Sequence, residues 1–211
     1  MSGLLDRLTI KHLPPGYTPP GGFDCGEPDV DVYICDGSAA QDQADGITQT
    51  YIVMDGEELV GFVSIICDSI RLNKEERPTR RQGAPALKVG YMGVQKKHRG
   101  NKVGDWILDQ VVGIARSIGK LAGIRFITLD SLPRPGLVKF YEDYGFLKNM
   151  EEERVRKIIK KAGSAKYKNM SLDEIDLPHI SMRYDIRLKA ELPVSTGSET
   201  TTSTEGGAAN A

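Results

Sequence analysis

Residues 94–104, Val94-Gln95-Lys96-Lys97-His98-Arg99-Gly100-Asn101-Lys102-Val103-Gly104, join a strand to a helix through glycine, asparagine and four lysine or arginine side chains. Upstream, Ala86 to Val94 has strand character. Downstream, Val103, Ile107, Leu108, Val111, Ile114, Ala115 and Ile118 recur at helical spacing, which predicts an amphipathic helix over 102–118 with Gly119 at its C′ position. A helix N-terminus presents unpaired N–H groups and the positive end of its dipole. Gly100 permits close backbone approach, so the turn suits a phosphate or pyrophosphate, with Lys97, Arg99 and Lys102 adding charge. The same residues also read as an ordinary turn. They match neither the G-x-x-x-x-G-K-[ST] P-loop nor the G-x-G-x-x-G fingerprint, so nucleotide hydrolysis and hydride transfer lose support.

Further along the chain, Ile124 to Leu129 reads as a strand. A second helix is expected from Pro135 to just before Gly145, with Leu137, Val138, Tyr141 and Tyr144 inward. Upstream, Leu8 to Leu13 reads as a strand, and Pro28 opens a helix whose Val30, Tyr33 and Ile34 share a face. Tyr51–Met54 and Leu59–Ile66 form a hairpin through Asp55-Gly56. Arg71 to Gly83, charged and interrupted by Pro78, reads as a mobile surface loop. Val155, Ile158 and Ile159 put one apolar stripe on a basic helix, and Ile180, Met182, Tyr184 and Ile186 alternate as a last strand. The order argues an α/β fold of mixed α+β type, a central mixed sheet with helices on both faces. We expect a single domain over 1–190, with 151–178 inserted before the last strand and 191–211 a disordered Ser/Thr/Gly tail.

Length and composition agree with one domain. The chain has 211 residues, 39% hydrophobic and 27% charged, enough to bury a core. Its longest apolar runs fall short of the roughly 18 residues of a membrane span, and Asp6 and Arg7 break any leader-like run, so a cytoplasmic protein without membrane contact is expected. Cys25, Cys35 and Cys67 form no C-x-x-C pair, which argues for buried or inert thiols and against a metal site. Residues 1–60 hold two basic side chains against eleven acidic, net −9, whereas residues 71–102 hold ten against two, net +8. Such separation suits a phosphate-bearing ligand near the middle segment, although charge runs also serve as solvated surface.

At Arg99-Gly100-Asn101-Lys102-Val103-Gly104 the chain resembles the GNAT superfamily of acyl-CoA-dependent N-acetyltransferases, whose pyrophosphate loop reads Q/R-x-x-G-x-G/A at a strand-to-helix turn. Arg99 and Gly104 take the first and last positions, and Lys102 stands where the middle glycine is usual. Phe140-Tyr141-Glu142-Asp143-Tyr144-Gly145-Phe146 is similar to the family's "FYxxxGF" helix ending, Met92-Gly93-Val94 to its splayed strand, and Tyr51–Phe62 to its central hairpin. The likeness covers about Phe23 to Phe146, with Ile180 to Ile186 as a closing strand. It implies acetyl-CoA as cosubstrate, no metal, and direct attack of a primary amine on the thioester in a ternary complex. It further implies that Met92, Gly93 and Val94 pair with the pantetheine arm, and that Arg99, Gly100, Asn101, Lys102, Val103 and Gly104 hold the pyrophosphate. Tyr141 then protonates the departing thiolate, with Tyr144 as its substitute.

No general base stands out. Asp68 and Asp130 read as strand-end turn residues, His98 as a loop residue, and His12 and His179 as isolated. Cys67 reads as a small hydrophobe in an apolar strand. Phe23-Asp24-Cys25-Gly26, the long loop before Ala86 and the hairpin resemble a GNAT subgroup that includes toxins acetylating aminoacyl-tRNA. That makes tRNA one acceptor to consider beside a protein amine or a small amine. The segment from Glu151 to Lys168 carries net +4 and reads as an RNA contact, a homodimer contact or a solvated helix, the last favoured. Two readings from other classes stay open: a non-catalytic acyl-CoA sensor or adaptor, motivated by Lys102, and an RNA-binding module built on the basic loop.

Overall fold

The computed structural model describes residues 3–72, 83–149, 152–164 and 178–187. Along the chain run α1 (Leu4–Arg7), β1 (Leu8–His12), α2 (Pro28–Cys35), α3 (Ser38–Ala44), β2 (Gln49–Asp55), β3 (Glu58–Arg71) and β4 (Gly83–Val94). There follow α4 (Val103–Ala122), β5 (Phe126–Ser131), α5 (Pro135–Tyr144), β6 (Leu147–Lys148), α6 (Glu152–Ala162) and β7 (Ile180–Asp185). The strands form one sheet in the order β1-β2-β3-β4-β5-β7-β6. Every neighbouring pair is antiparallel except β4 and β5, which run parallel. The expected mixed sheet with helices on both faces is therefore observed.

Alternation along the strands assigns the faces. Val53, Val63, Ile65, Leu87, Val89, Ile127, Leu129, Met182 and Tyr184 point to one side, where α4 contributes Val103, Ile107, Leu108, Val111 and Ala115. The opposite side chains of β2 and β3, Ile52, Met54 and Phe62, meet Tyr33 and Ile34 of α2 and Ala39 of α3. Each large aliphatic side chain so buried contributes about 1.5–3 kcal/mol. Helix α6 adds Val155 to the α4 core, with Ile159 packed against it, so its apolar stripe is packed and not merely solvated.

Several boundaries differ from the sequence reading. Strands β3 and β4 extend to an Arg71↔Gly83 pair, because Ile70, Leu72, Ala84, Ala86 and Phe126 gather into a small apolar cluster that anchors their ends. Helix α4 runs past Gly119 to Ala122, and the glycine that ends it is Gly123, with φ +71°. Gly119 lies inside the helix, where a Cβ would stand 3.4 Å from the Ile124 carbonyl oxygen. Cys67 is exposed rather than a small core hydrophobe, while Cys25 is buried. Asp68 accepts a 2.7 Å hydrogen bond from Thr128 Oγ1 and Asp130 one of 2.7 Å from Lys88 Nζ, which ties both strand-end aspartates to the sheet. Of the loop expected over Arg71 to Gly83, both ends belong to strands and 73–82 lie outside the described residues, as do the rest of the 151–178 segment and the tail 191–211.

Candidate active site

The parallel pair comes apart. β4 and β5 are in register from Ala86↔Phe126 to Val89↔Leu129, and there their pairing ends. Beyond that point β5 pairs only with β7, as far as Ser131↔Ile180, and β4 only with β3, as far as Val94↔Gly61. The parting coincides with a bulge. Ser64 faces Tyr91 while Ile65 faces Val89, so Gly90 is the extra residue that bends β4 away from its neighbour. The β5-facing backbone edge at Met92, Gly93 and Val94 is thereby left without a strand partner among the described residues. The ring of Phe23 covers Gly93, where a Cβ would come within 2.8 Å of it.

At the end of this free edge the chain enters a 3₁₀ turn, Lys96–His98, and then the N-terminus of α4. Gly100 has φ +80° and Lys102 has φ +59°, ψ +19°, and no side chain caps the helix. The amides of its first turn are consequently available to an anion. Three of the four lysine or arginine side chains of this segment, among them Lys97 and Arg99 of the three expected to add charge, are already engaged. Lys96 Nζ lies 2.8 Å from Asp24, Lys97 Nζ lies 2.9 Å from Glu58, and Arg99 Nη2 donates to the Cys25 carbonyl. His98 Nε2 meets the same Glu58 carboxylate at 2.5 Å. The guanidinium of Arg99 is thus turned toward residue 25 and away from the turn, whereas Lys102 has no ion-pair partner among the described residues.

Tyr141 lies on the buried face of α5. Its side chain is 7% exposed and lies between Phe140 and Phe146, with ring centroids at 5.0 and 5.6 Å. Phe140 packs on the α4 N-terminus so closely that a Cβ on Gly104 would sit 2.9 Å from its Cζ and 3.7 Å from Met92 Cε. The contact brings the free edge of β4, the first turn of α4 and the α5 residue preceding Tyr141 together.

The same segments carry a family signature. Residues 46–148 match the model of the "Acetyltransferase (GNAT) domain". These residues form a GNAT acetyltransferase domain. No curated protein matches the chain in sequence. Among solved structures it is similar to a tyrosine-to-phenylalanine mutant of KacT, with 17% identity, a TM-score of 0.66, and 86% of this chain and 96% of the other covered. It is also similar to a tyrosine-to-phenylalanine mutant of the toxin AtaT bound to the C-terminus of the antitoxin AtaR and acetyl-CoA, with 16% identity, a TM-score of 0.62, and 87% and 96% covered. A third is AtaT complexed with acetyl-methionyl-tRNAfMet, with 17% identity, a TM-score of 0.60, and 69% and 89% covered. At these identities the likeness is one of fold.

Within the GNAT domain the electrostatics separate the two candidate tyrosines. Burial alone pushes the Tyr141 phenol up to about 12, so it stays protonated at neutral pH. Tyr144 is raised further by burial and by Asp109, to whose Oδ1 its hydroxyl donates at 2.7 Å. The Tyr144 proton is thereby directed at Asp109, whereas Tyr141 has no such acceptor among the described residues. Two residues to which the sequence reading gave no role of their own link these elements. Phe140 spaces α5 from α4, and Glu27, just ahead of α2, pairs with Arg134 at the start of α5. A separation of 107 positions between Glu27 and Arg134 leaves no local signal that would join them. Among the described residues no group of three His, Cys, Asp or Glu could hold a metal ion, and no helix is long and apolar enough to cross a membrane.

Proposed function

We propose that this GNAT acetyltransferase moves the acetyl group of acetyl-CoA to a primary amine by direct attack in a ternary complex. The observation that carries the proposal is the parting of β4 from β5 beside the α4 N-terminus, against which Phe140, the neighbour of Tyr141 in α5, is packed. The free backbone edge at Met92, Gly93 and Val94 takes the amide groups of the pantetheine arm as a strand would. Amides of the turn from Arg99 through Gly100, Asn101, Lys102 and Val103 to Gly104 receive the pyrophosphate, and the Lys102 ammonium adds charge. The amine nitrogen forms its bond to the thioester carbon, the C–S bond breaks, and Tyr141 gives its proton to the sulfur. Holding both reactants in line at the opening supplies much of the acceleration.

Charged tRNA is the first acceptor to try. AtaT is known in complex with acetyl-methionyl-tRNAfMet, and basic residues crowd positions 71–102 here. The test is release of free thiol from acetyl-CoA with a panel of a mixed aminoacyl-tRNA pool, a lysine-containing peptide and spermidine, the acetylated product being identified by mass. Turnover with one member assigns the acceptor class. Acetyl-CoA binding without turnover on any member favours a sensor instead. RNA affinity that falls with salt and ignores acetyl-CoA favours the binding module.

A further inference from the structure

Three buried side-chain polar atoms of the described residues have no hydrogen-bond partner: Thr50 Oγ1, the Tyr184 hydroxyl and Glu27 Oε2. Only Glu27 is a carboxylate, for which a missing partner costs most. Its side chain is 15% exposed, and its other oxygen, Oε1, accepts from Arg134 Nη1.

Position gives this oxygen its meaning. Arg134 follows β5 and leads into α5, so it marks the far end of one parting strand. The residues just before Glu27 are held to the chain that leaves the other strand. Lys96 N donates to the Asp24 carbonyl at 2.9 Å, Lys96 Nζ to the Asp24 carboxylate at 2.9 Å, and Arg99 Nη2 to the Cys25 carbonyl. Phe23 meanwhile lies on Gly93. Glu27 therefore spans the C-terminal ends of β4 and β5, where the two strands have separated. The charged groups that face it are Arg134 from the loop after β5, Arg99 from the loop after β4 and Asp31 from α2.

We infer that Glu27 is the proton acceptor for the incoming amine, receiving the acceptor's ammonium at Oε2 while Arg134 holds Oε1. The inference rests on the acetyltransferase reading above. An α-amine with a pKa of about 8, or a lysine amine with one of about 10.4, is mostly protonated at neutral pH and has no lone pair to attack with. Glu27 takes one proton from the ammonium, and the freed lone pair forms the C–N bond as the C–S bond breaks. Tyr141 protonates the sulfur and is reprotonated from the nitrogen, which sheds its second proton through solvent. Glu27 releases its own proton to solvent, and the cycle yields acetylated amine, free thiol and one proton. Burial lifts the carboxyl above the ordinary range, Arg134 and Arg99 draw it back and Asp31 adds to the rise, leaving a better proton acceptor than an exposed glutamate.

The test compares wild type, Glu27→Gln and Glu27→Asp from pH 6.5 to 8.5 with the best acceptor of the panel, with acetyl-CoA binding followed in parallel. The expected result for Glu27→Gln is a kcat/KM lower by on the order of 10²-fold at pH 6.5. That deficit should narrow as pH rises and solvent supplies free amine, with acetyl-CoA affinity unchanged. Glu27→Asp, which keeps the charge on a shorter arm, should fall between the two. A Glu27→Gln deficit that is constant with pH and accompanied by a lower Tm means that Glu27 only holds α2 to α5, and overturns the inference, as does an unchanged rate. Should Glu27→Gln not fold, a wild-type rate and pH profile in Glu27→Asp overturns it. If the wild type itself turns over no acceptor, the acetyltransferase reading fails first and takes this one with it.

Discussion

Lys102 is the one non-glycine residue with positive φ among those described, at +59°. An L-residue held in that region costs about 1–2 kcal/mol, of which a glycine replacement recovers only part, because glycine adds about 0.4–1 kcal/mol of unfolded-state entropy. Lys102→Gly should therefore raise Tm slightly, by about 1–4 °C for a chain of this size. The same change removes the cation of the turn that is not engaged elsewhere and should weaken acetyl-CoA binding about fivefold, as loss of one partly screened charge contact would. A calorimetric titration beside a melting curve reads both signs. A lower Tm with unchanged affinity would mean that the lysine is there for the fold. Tyr141 offers a second test. Its hydroxyl makes no hydrogen bond among the described residues, so Tyr141→Phe should leave Tm and acetyl-CoA affinity nearly unchanged while turnover drops on the order of 10²-fold or more. Turnover within about twofold of wild type would reject it as the donor.

Among the elements, α5 was legible to the residue, because Pro135 presets its first turn and Gly145, at φ +117°, closes it. The hairpin of β2 and β3 was legible for a similar reason, with Gly56 at φ +62° in its turn. Elements whose ends depend on tertiary contacts were not. β3 and β4 reach Arg71 and Gly83, the two ends of the charged stretch, because Leu72 and Phe126 gather their ends, and α4 passes Gly119 because Ile124 folds back on it. The turn at 99–104 could be read from its residues as a strand-to-helix turn, but the bond from Arg99 to the Cys25 carbonyl could not, since its partner lies 74 residues away. Gly104 ties two elements together at one atom. A valine there would drive into Phe140 and push α5, with Tyr141, away from α4. Gly104→Val should fold with a somewhat lower Tm yet lose both acetyl-CoA affinity and turnover, which an equilibrium binding assay and a rate measurement would show. Retained affinity would place the phosphates elsewhere.

For the whole molecule, a net charge of −1 conceals carboxylates that are individually stabilised in the ionised form. Lys96 holds Asp24 below the usual range, as do Arg7 for Asp55 and His98 with Lys97 for Glu58. A carboxylate whose native pKa is depressed lends stability that is complete above the unfolded-state value and lost as pH falls through the native one. Melting temperature should accordingly stay level from pH 7 to about 5 and decline below about 4, with small steps from each exposed pair. Two of these pairs also hold the ends of the opening, since Lys96–Asp24 secures the segment before Glu27 and Lys97–Glu58 the segment before α4. Acid should therefore loosen the site before it unfolds the sheet, and acetyl-CoA should counter that loosening. At 100 times its dissociation constant acetyl-CoA adds about 2.7 kcal/mol to native stability, which corresponds to roughly 5–10 °C in Tm at pH 7. ATP and NAD, which lack the pantetheine arm, should give much smaller shifts. An equal shift with ATP would mean that the turn binds phosphates without the free edge of β4, and no shift with any of them would remove the turn from the reading altogether.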